Sequence, residues 1–189
     1  MSKIGQKVSD IANFELEAFC QEKIEKINLA DNKGWLVLLF YPADFTFICP
    51  TELEEAADSY NAFKKLGAEI MSVSTDTAFA HKAWHDNSPA IGKIKFPMIA
   101  DPTGKLCRAF DTYIENEGLS LRGTFIIDPN GEIKACEVHD NSIGRNIKEV
   151  LRKLQAAKFV SENKGLVCPA SWTPGGKTLK PGLDLVGKI

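Results

Sequence analysis

Apolar and polar positions along the 189-residue chain change period several times, and each change marks an element. Residues 36–41 form an unbroken apolar run between Gly34 and Pro42, the pattern of a strand buried on both faces. From Pro50 the period lengthens. Leu53, Ala56, Ala57, Tyr60, Phe63 and Leu66 fall on one helical face, acids crowd the first turns, Lys64 and Lys65 the last, and Gly67 supplies the stop. Residues 68–74 read as the next strand, which completes a β-α-β unit. Residues 78–86 predict a helix, 96–100 a strand and 105–110 a short helix. Strands over 123–127 and 133–138 flank Asp128-Pro129-Asn130-Gly131, a hairpin signal, and Ile147, Val150, Leu151 and Leu154 mark another amphipathic helix. Residues 10–29 read as short, weakly patterned strands. Strands alternating with helices, plus one hairpin, predict a three-layer α/β domain around a mixed sheet. Past Glu162 the chain becomes rich in Gly and Pro yet keeps Trp172, Leu179, Leu183, Leu185 and Val186. The expected organisation is therefore a domain over residues 1–162 and a carboxy-terminal arm over 163–189 that packs on something.

Composition narrows the function classes. Charged residues make up 25% of the chain with a net charge of -2, which gives no footprint for nucleic acid or an anionic membrane. The longest apolar run, residues 35–41, is far too short to span a bilayer. The start, MSKIGQKVSD, has no apolar h-region and no glycine after Met1, so neither a secretory leader nor a myristoyl anchor is expected. The five cysteines are odd in number and none forms a C-x-x-C pair, which argues against a disulfide framework and the usual zinc spacings. A cytoplasmic location with reduced thiols is the expectation, and a cysteine with a special task there is catalytic rather than stapling.

Cys49 has the setting for such a task. It stands where the apolar strand has ended and Pro50 opens the helix. Proline suits that first turn, and the remaining N–H groups and helix dipole favour negative charge. Helix N-termini and nearby cations bring cysteine pKa values from about 8.5 into the ~3.5–7.5 range, and the thiolate is the nucleophile. Cys20, Cys107 and Cys136 lack that setting and are expected to be small buried apolar residues.

Around Cys49 the sequence resembles the peroxiredoxins. Their signature Pro-x-x-x-Thr/Ser-x-x-Cys is matched by Pro42, Thr46 and Cys49, with flanks FYPADFTF and CPTEL. The resemblance continues through STDTAFAHKAWH, FPMIADPTGKLCRAF, GTFIIDPNG, GLVCPASW and the ending LDLVGKI, which is similar to the bacterial alkyl hydroperoxide reductase group. It implies a thioredoxin-like fold and a thiol peroxidase in which Cys49 attacks hydrogen peroxide or an organic hydroperoxide and becomes a sulfenic acid. It further implies that Thr46 bonds the sulfur and a peroxide oxygen, that Pro42 walls the pocket, and that Arg122 supplies the cation. Arg145 matches a second family arginine, and Glu52 would orient both. Cys168 is the implied resolving cysteine, contributed by the partner subunit in the typical two-cysteine class. The implied assembly is a homodimer, five of which form a ring. Electrons would come from a flavoprotein disulfide reductase, using FAD and NADH, or from thioredoxin, with no cofactor or metal bound by the chain itself. Bonding of Cys49 to Cys168 requires both segments to open locally. The region NEGLSLRG and the tail LDLVGKI lack the GGLG insert and YF-containing tail of eukaryotic relatives, so resistance to overoxidation is expected.

Other patterns carry less. His81 and His85 are four apart on a predicted helix, but residue 82 is Lys and no third ligand is evident, so metal binding is not expected. PGGKT lacks the first glycine of a phosphate loop, because position 171 is Ser171. Trp84 reads as a packed aromatic. A thioredoxin-type reductase would need a second cysteine where Glu52 stands. A ring-assembled chaperone is the alternative from another class.

Overall fold

The structure is a computed structural model and describes residues 3–188. These form two compact units, one ending at Ile147 and one beginning at Lys148.

The first unit is built on a seven-stranded mixed sheet. Its elements are α1 (Val8–Ile11), β1 (Glu15–Cys20), β2 (Lys23–Asn28), β3 (Trp35–Phe40), α2 (Cys49–Lys65), β4 (Ala68–Ser74), α3 (Ala78–Asn87), β5 (Met98–Ala100), α4 (Lys105–Ala109), β6 (Tyr113–Ile114), β7 (Leu119–Ser120), β8 (Arg122–Ile127) and β9 (Ile133–His139). The strand order is β2-β1-β5-β4-β3-β8-β9, with β6 and β7 as a separate two-stranded ribbon. β4 runs parallel to β3 and β5, whereas β8 is antiparallel to β3 and β9. Every residue of β3 and β8 is buried, which explains the unbroken apolar run over 36–41. Leu36, Leu38 and Phe40 join Phe110, Phe125, Ile127 and Ile133 in the main core. α2 packs along β4, and α3 against β1 and β5. Gly67, at φ 73°, ends α2 in the left-handed conformation that glycine adopts without strain.

Some expectations shift. β5 begins at Met98 rather than at residue 96, since Pro97 has no N–H to give to a ladder. α4 ends at Ala109, because Asp111 takes a positive φ. The hairpin over 123–138 forms and extends, with β8 starting at Arg122 and β9 reaching His139.

The second unit comprises the remainder of α5 (Ile147–Glu162) and the arm. The sequence placed the boundary after Glu162, but α5 groups with the arm instead. Phe159 on the helix lies 5.0 Å from the Trp172 ring, and Arg152 donates to the Trp172 carbonyl at 2.7 Å.

Candidate active site

Four side chains named from the sequence converge at the start of α2. Cys49 is its first residue, followed by Pro50, and is fully buried. The segment that leads there leaves the sheet at Tyr41, whose N–H donates to Val73 at 2.9 Å, and passes through buried Pro42 and half-buried Thr46. Glu52 is one turn into the helix and only 3% exposed, although acids in a first turn ordinarily face water. Its burial is explained by two guanidinium groups.

Arg122, the first residue of β8, donates through Nη1 to Cys49 Sγ at 3.3 Å and to Glu52 Oε2 at 2.8 Å. Its Nε and Nη2 both donate to the Asn141 carbonyl, at 3.0 and 2.9 Å. Arg145 does not serve the sulfur directly. Its backbone N–H and Nε donate to Glu52 Oε1 at 2.8 and 3.0 Å, and Nη2 reaches Oε2 at 3.3 Å. The same guanidinium donates to the carbonyls of Gly123, at 3.1 Å, and Phe40. Arg145 therefore ties Glu52 to the two central strands, and Glu52 in turn aims Arg122 at the sulfur. Burial pushes the Arg145 guanidinium down from its ordinary value, and the Glu52 carboxylate opposes that shift. Two guanidiniums against one carboxylate leave a surplus positive charge next to Sγ, and an anion forming at the sulfur would balance it.

The Thr46 hydroxyl is engaged within its own loop. It donates to the Ala43 carbonyl at 2.9 Å, so the single proton is committed to the backbone and not to the sulfur. The oxygen lone pairs remain as acceptors. Cys168 belongs to the second unit and is half-exposed. Burial pushes its thiol up, while the Arg152 charge pulls it down.

Of the other cysteines, Cys107 is buried as expected, with its thiol pushed up to about 12 by burial and by Asp101. Cys20 is only half-buried. Cys136 corrects the expectation. It is exposed, because β9 is an edge strand whose alternate residues face outward and position 136 is one of them. His81 is not a ligand either. Its Nδ1 meets Asp44 Oδ2 at 2.8 Å and its Nε2 the Ile99 carbonyl at 3.1 Å, both buried. His85 lies near Glu22 and Asp86, but Lys82 already bonds those two carboxylates at 3.1 and 2.7 Å, so the group is an ion-pair network. Trp84 is packed as expected, at 3% exposure.

The AhpC/TSA family matches residues 4–136, which include the Cys49 turn, Glu52 and Arg122. The chain belongs to the AhpC/TSA family. An alkyl hydroperoxide reductase C from Pseudomonas aeruginosa (strain UCBPP-PA14) is 52% identical over 190 residues, covering 100% of both chains. The crystal structure of Enterococcus faecalis AhpC superposes with a TM-score of 0.85 at 42% identity, covering 89% of this chain and all of that one. The reduced 2-Cys peroxiredoxin of Plasmodium vivax gives a TM-score of 0.90 at 31% identity over 97% and 96% of the two chains. The fold is accordingly thioredoxin-like, and this peroxiredoxin is a thiol-dependent peroxidase enzyme.

Two parts of the peroxiredoxin site escaped the sequence reading. Asn141 contributes a main-chain oxygen, which leaves no signature in residue type. Asp44 lies between Pro42 and Thr46 and accepts from the Tyr41 hydroxyl at 2.7 Å while meeting His81, so it anchors the catalytic segment to α3. Burial pushes its carboxyl up, opposed by His81. No helix among the described residues is long and apolar enough to cross a membrane.

Proposed function

We propose that the chain reduces hydrogen peroxide and small organic hydroperoxides through Cys49, with Cys168 of the partner subunit as the resolving thiol. The observation that carries this reading is the Arg122 Nη1 donor 3.3 Å from Cys49 Sγ, itself braced by Glu52 and Asn141. The Cys49 thiolate attacks the terminal peroxide oxygen. The S–O bond forms as the O–O bond breaks, and the leaving alkoxide or hydroxide takes up a proton to become alcohol or water. Arg122 donates to the charge moving from sulfur to oxygen, Thr46 accepts from the peroxide O–H, and Pro42 keeps water from the sulfur. Cys168 then displaces hydroxide from the sulfenic acid to give a disulfide. A flavoprotein disulfide reductase, drawing on NADH through FAD, or thioredoxin reduces it again by thiol–disulfide exchange.

The working form is a cytoplasmic homodimer that assembles five-fold into a ring. Phe45, Phe47 and Phe79, exposed at 60%, 93% and 72%, support the existence of subunit contacts on the first unit. The test mixes reduced protein with one equivalent of hydrogen peroxide and counts thiols. Rapid loss of two per chain, absent in Cys49→Ser, supports the scheme, and a cross-linked dimer on a non-reducing gel supports the inter-chain bond. No thiol loss, with suppression of client aggregation, would favour the chaperone instead. Under graded peroxide, early appearance of two added oxygens on Cys49 by mass spectrometry would count against resistance to overoxidation.

A further inference from the structure

The second unit holds an arginine that the scheme above leaves without a task. Arg152 Nε and Nη2 donate to the two carboxylate oxygens of Glu149 at 2.7 and 2.8 Å, a fork three residues apart on α5. The remaining arm of the guanidinium, Nη1, donates to the Trp172 carbonyl at 2.7 Å. Trp172 is 5% exposed, and its indole N–H donates to the Gly176 carbonyl at 3.2 Å. Val167 and Leu179 exchange backbone hydrogen bonds at 2.9 and 3.1 Å, and the Trp172 N–H returns to Pro169 at 3.2 Å. Cys168 thus sits in a loop closed at its base by the Val167–Leu179 pair and fastened to α5 at Trp172 by a ring contact and one guanidinium.

The geometry points to Arg152 as a positioning residue for resolution: it fastens the Cys168 loop to α5 and so limits how often Cys168 is released to attack. This rests on the reading of Cys168 as the resolving cysteine. In that step the Cys168 sulfur bonds to the Cys49 sulfur and the S–O bond of the sulfenic acid breaks. The departing hydroxide takes a proton and leaves as water; Cys168 is oxidised, and the Cys49 sulfur is reduced, to the disulfide level. Arg152 acts on this step in two opposed ways. Its charge favours the Cys168 thiolate, and its bond to Trp172 opposes release. The thiol is half-exposed, where solvent screens the charge. The Trp172 bond is short, charge-assisted and part-buried, with the fork already aimed by Glu149, so fastening is the larger effect.

The test uses the full-length reduced protein and stopped-flow tryptophan fluorescence after mixing with hydrogen peroxide. A peroxide-dependent phase reports Cys49 oxidation, and a peroxide-independent phase reports disulfide formation. Arg152→Met and Arg152→Lys should each speed the second phase roughly tenfold or more, the effect of one charge-assisted bond, and leave the first phase unchanged. Both should also speed amide hydrogen exchange at Val167, Trp172 and Leu179 in the reduced protein. Lys keeps the charge but cannot make the fork and the third bond together, so it separates the two roles. If Arg152→Lys behaves as wild type while Arg152→Met slows the second phase and shifts its pH midpoint, the charge role wins and the inference falls. An unchanged second phase in both variants also overturns it. Should Arg152→Met fail to fold, Arg152→Lys and Glu149→Gln carry the same comparison. If Cys168→Ser leaves the second phase intact, the resolving role itself falls; if Cys168→Ser removes it but the Arg152 variants do not alter it, only the inference falls.

Discussion

Arg122→Lys separates chemistry from stability at this site. Arg122 makes four donations, to Sγ, to Glu52 and twice to the Asn141 carbonyl, from a rigid planar group. A lysine ammonium keeps the charge, but three donors at one point cannot span sulfur, carboxylate and carbonyl together. Loss of one donor aimed at developing transition-state charge typically lowers turnover about 10²–10³-fold, equivalent to ~2.7–4 kcal/mol. The stability loss should be smaller. Glu52 retains three donations from Arg145, so its carboxylate is not stranded, and lysine can still reach one of the remaining partners, which leaves a net deficit of about one bond to a charged group at ~1.5–3 kcal/mol. The assay is the second-order rate of Cys49 oxidation by stopped flow, beside urea unfolding of the same preparation. Expected is a rate down by at least about 10² with a folded, cooperative protein. A rate within about threefold of wild type would refute the idea that the fork, and not merely a positive charge, serves the sulfur.

Other consequences can be checked independently. Glu52→Gln strips the carboxylate that lies between two buried guanidiniums and should destabilise by about 3–5 kcal/mol in urea unfolding, more than Arg122→Lys does. The Cys107 thiol, pushed up to about 12 in the fold, ionises near its ordinary value of 9.0 once unfolded. The folded state therefore holds this proton more tightly, so the contribution is intact below pH 9 and is lost as pH rises toward 12. Wild type should lose stability relative to Cys107→Ala by roughly 1.4 kcal/mol for each pH unit in that window, measured by urea midpoints. Gly104→Ala places a Cβ 2.3 Å from the Tyr113 ring at φ 66° and should cost about 2–4 kcal/mol, read as a lowered Tm.

Legibility in the sequence followed the range of the interaction. β3 and α2 were readable because burial on two faces and on one face leave different periods, and Cys49 was readable because it sits at the junction of the two. α1, β6 and β7 span two to four residues, too few to express a period. Glu52 and Arg145 were legible only through the family resemblance, because residue type alone places a charge at the surface and the three-dimensional pairing is what accounts for their burial. Asp44 and His81 are held together across 37 positions by folding, so no local pattern joins them. Cys136 was misread because a cysteine's usual burial was assumed where the neighbouring strand edge decides exposure. The division after Glu162 was read from a change in composition alone, whereas α5 groups with the segment that follows it, where Trp172 and Phe159 meet.

The oxygen that seats Arg122 belongs to the peptide bond after residue 141 and not to a side chain. A saturation screen could therefore record position 141 as tolerant while passing over its contribution entirely. Only chemistry that edits the backbone, such as a semisynthetic ester in place of the 141–142 amide, weakens that acceptor while keeping every side chain. The ester also removes the Ser142 N–H that donates to Asp140 at 2.8 Å, so Asp140→Ala is the matched control, and slower peroxide consumption beyond that control would expose a dependence that residue identity conceals.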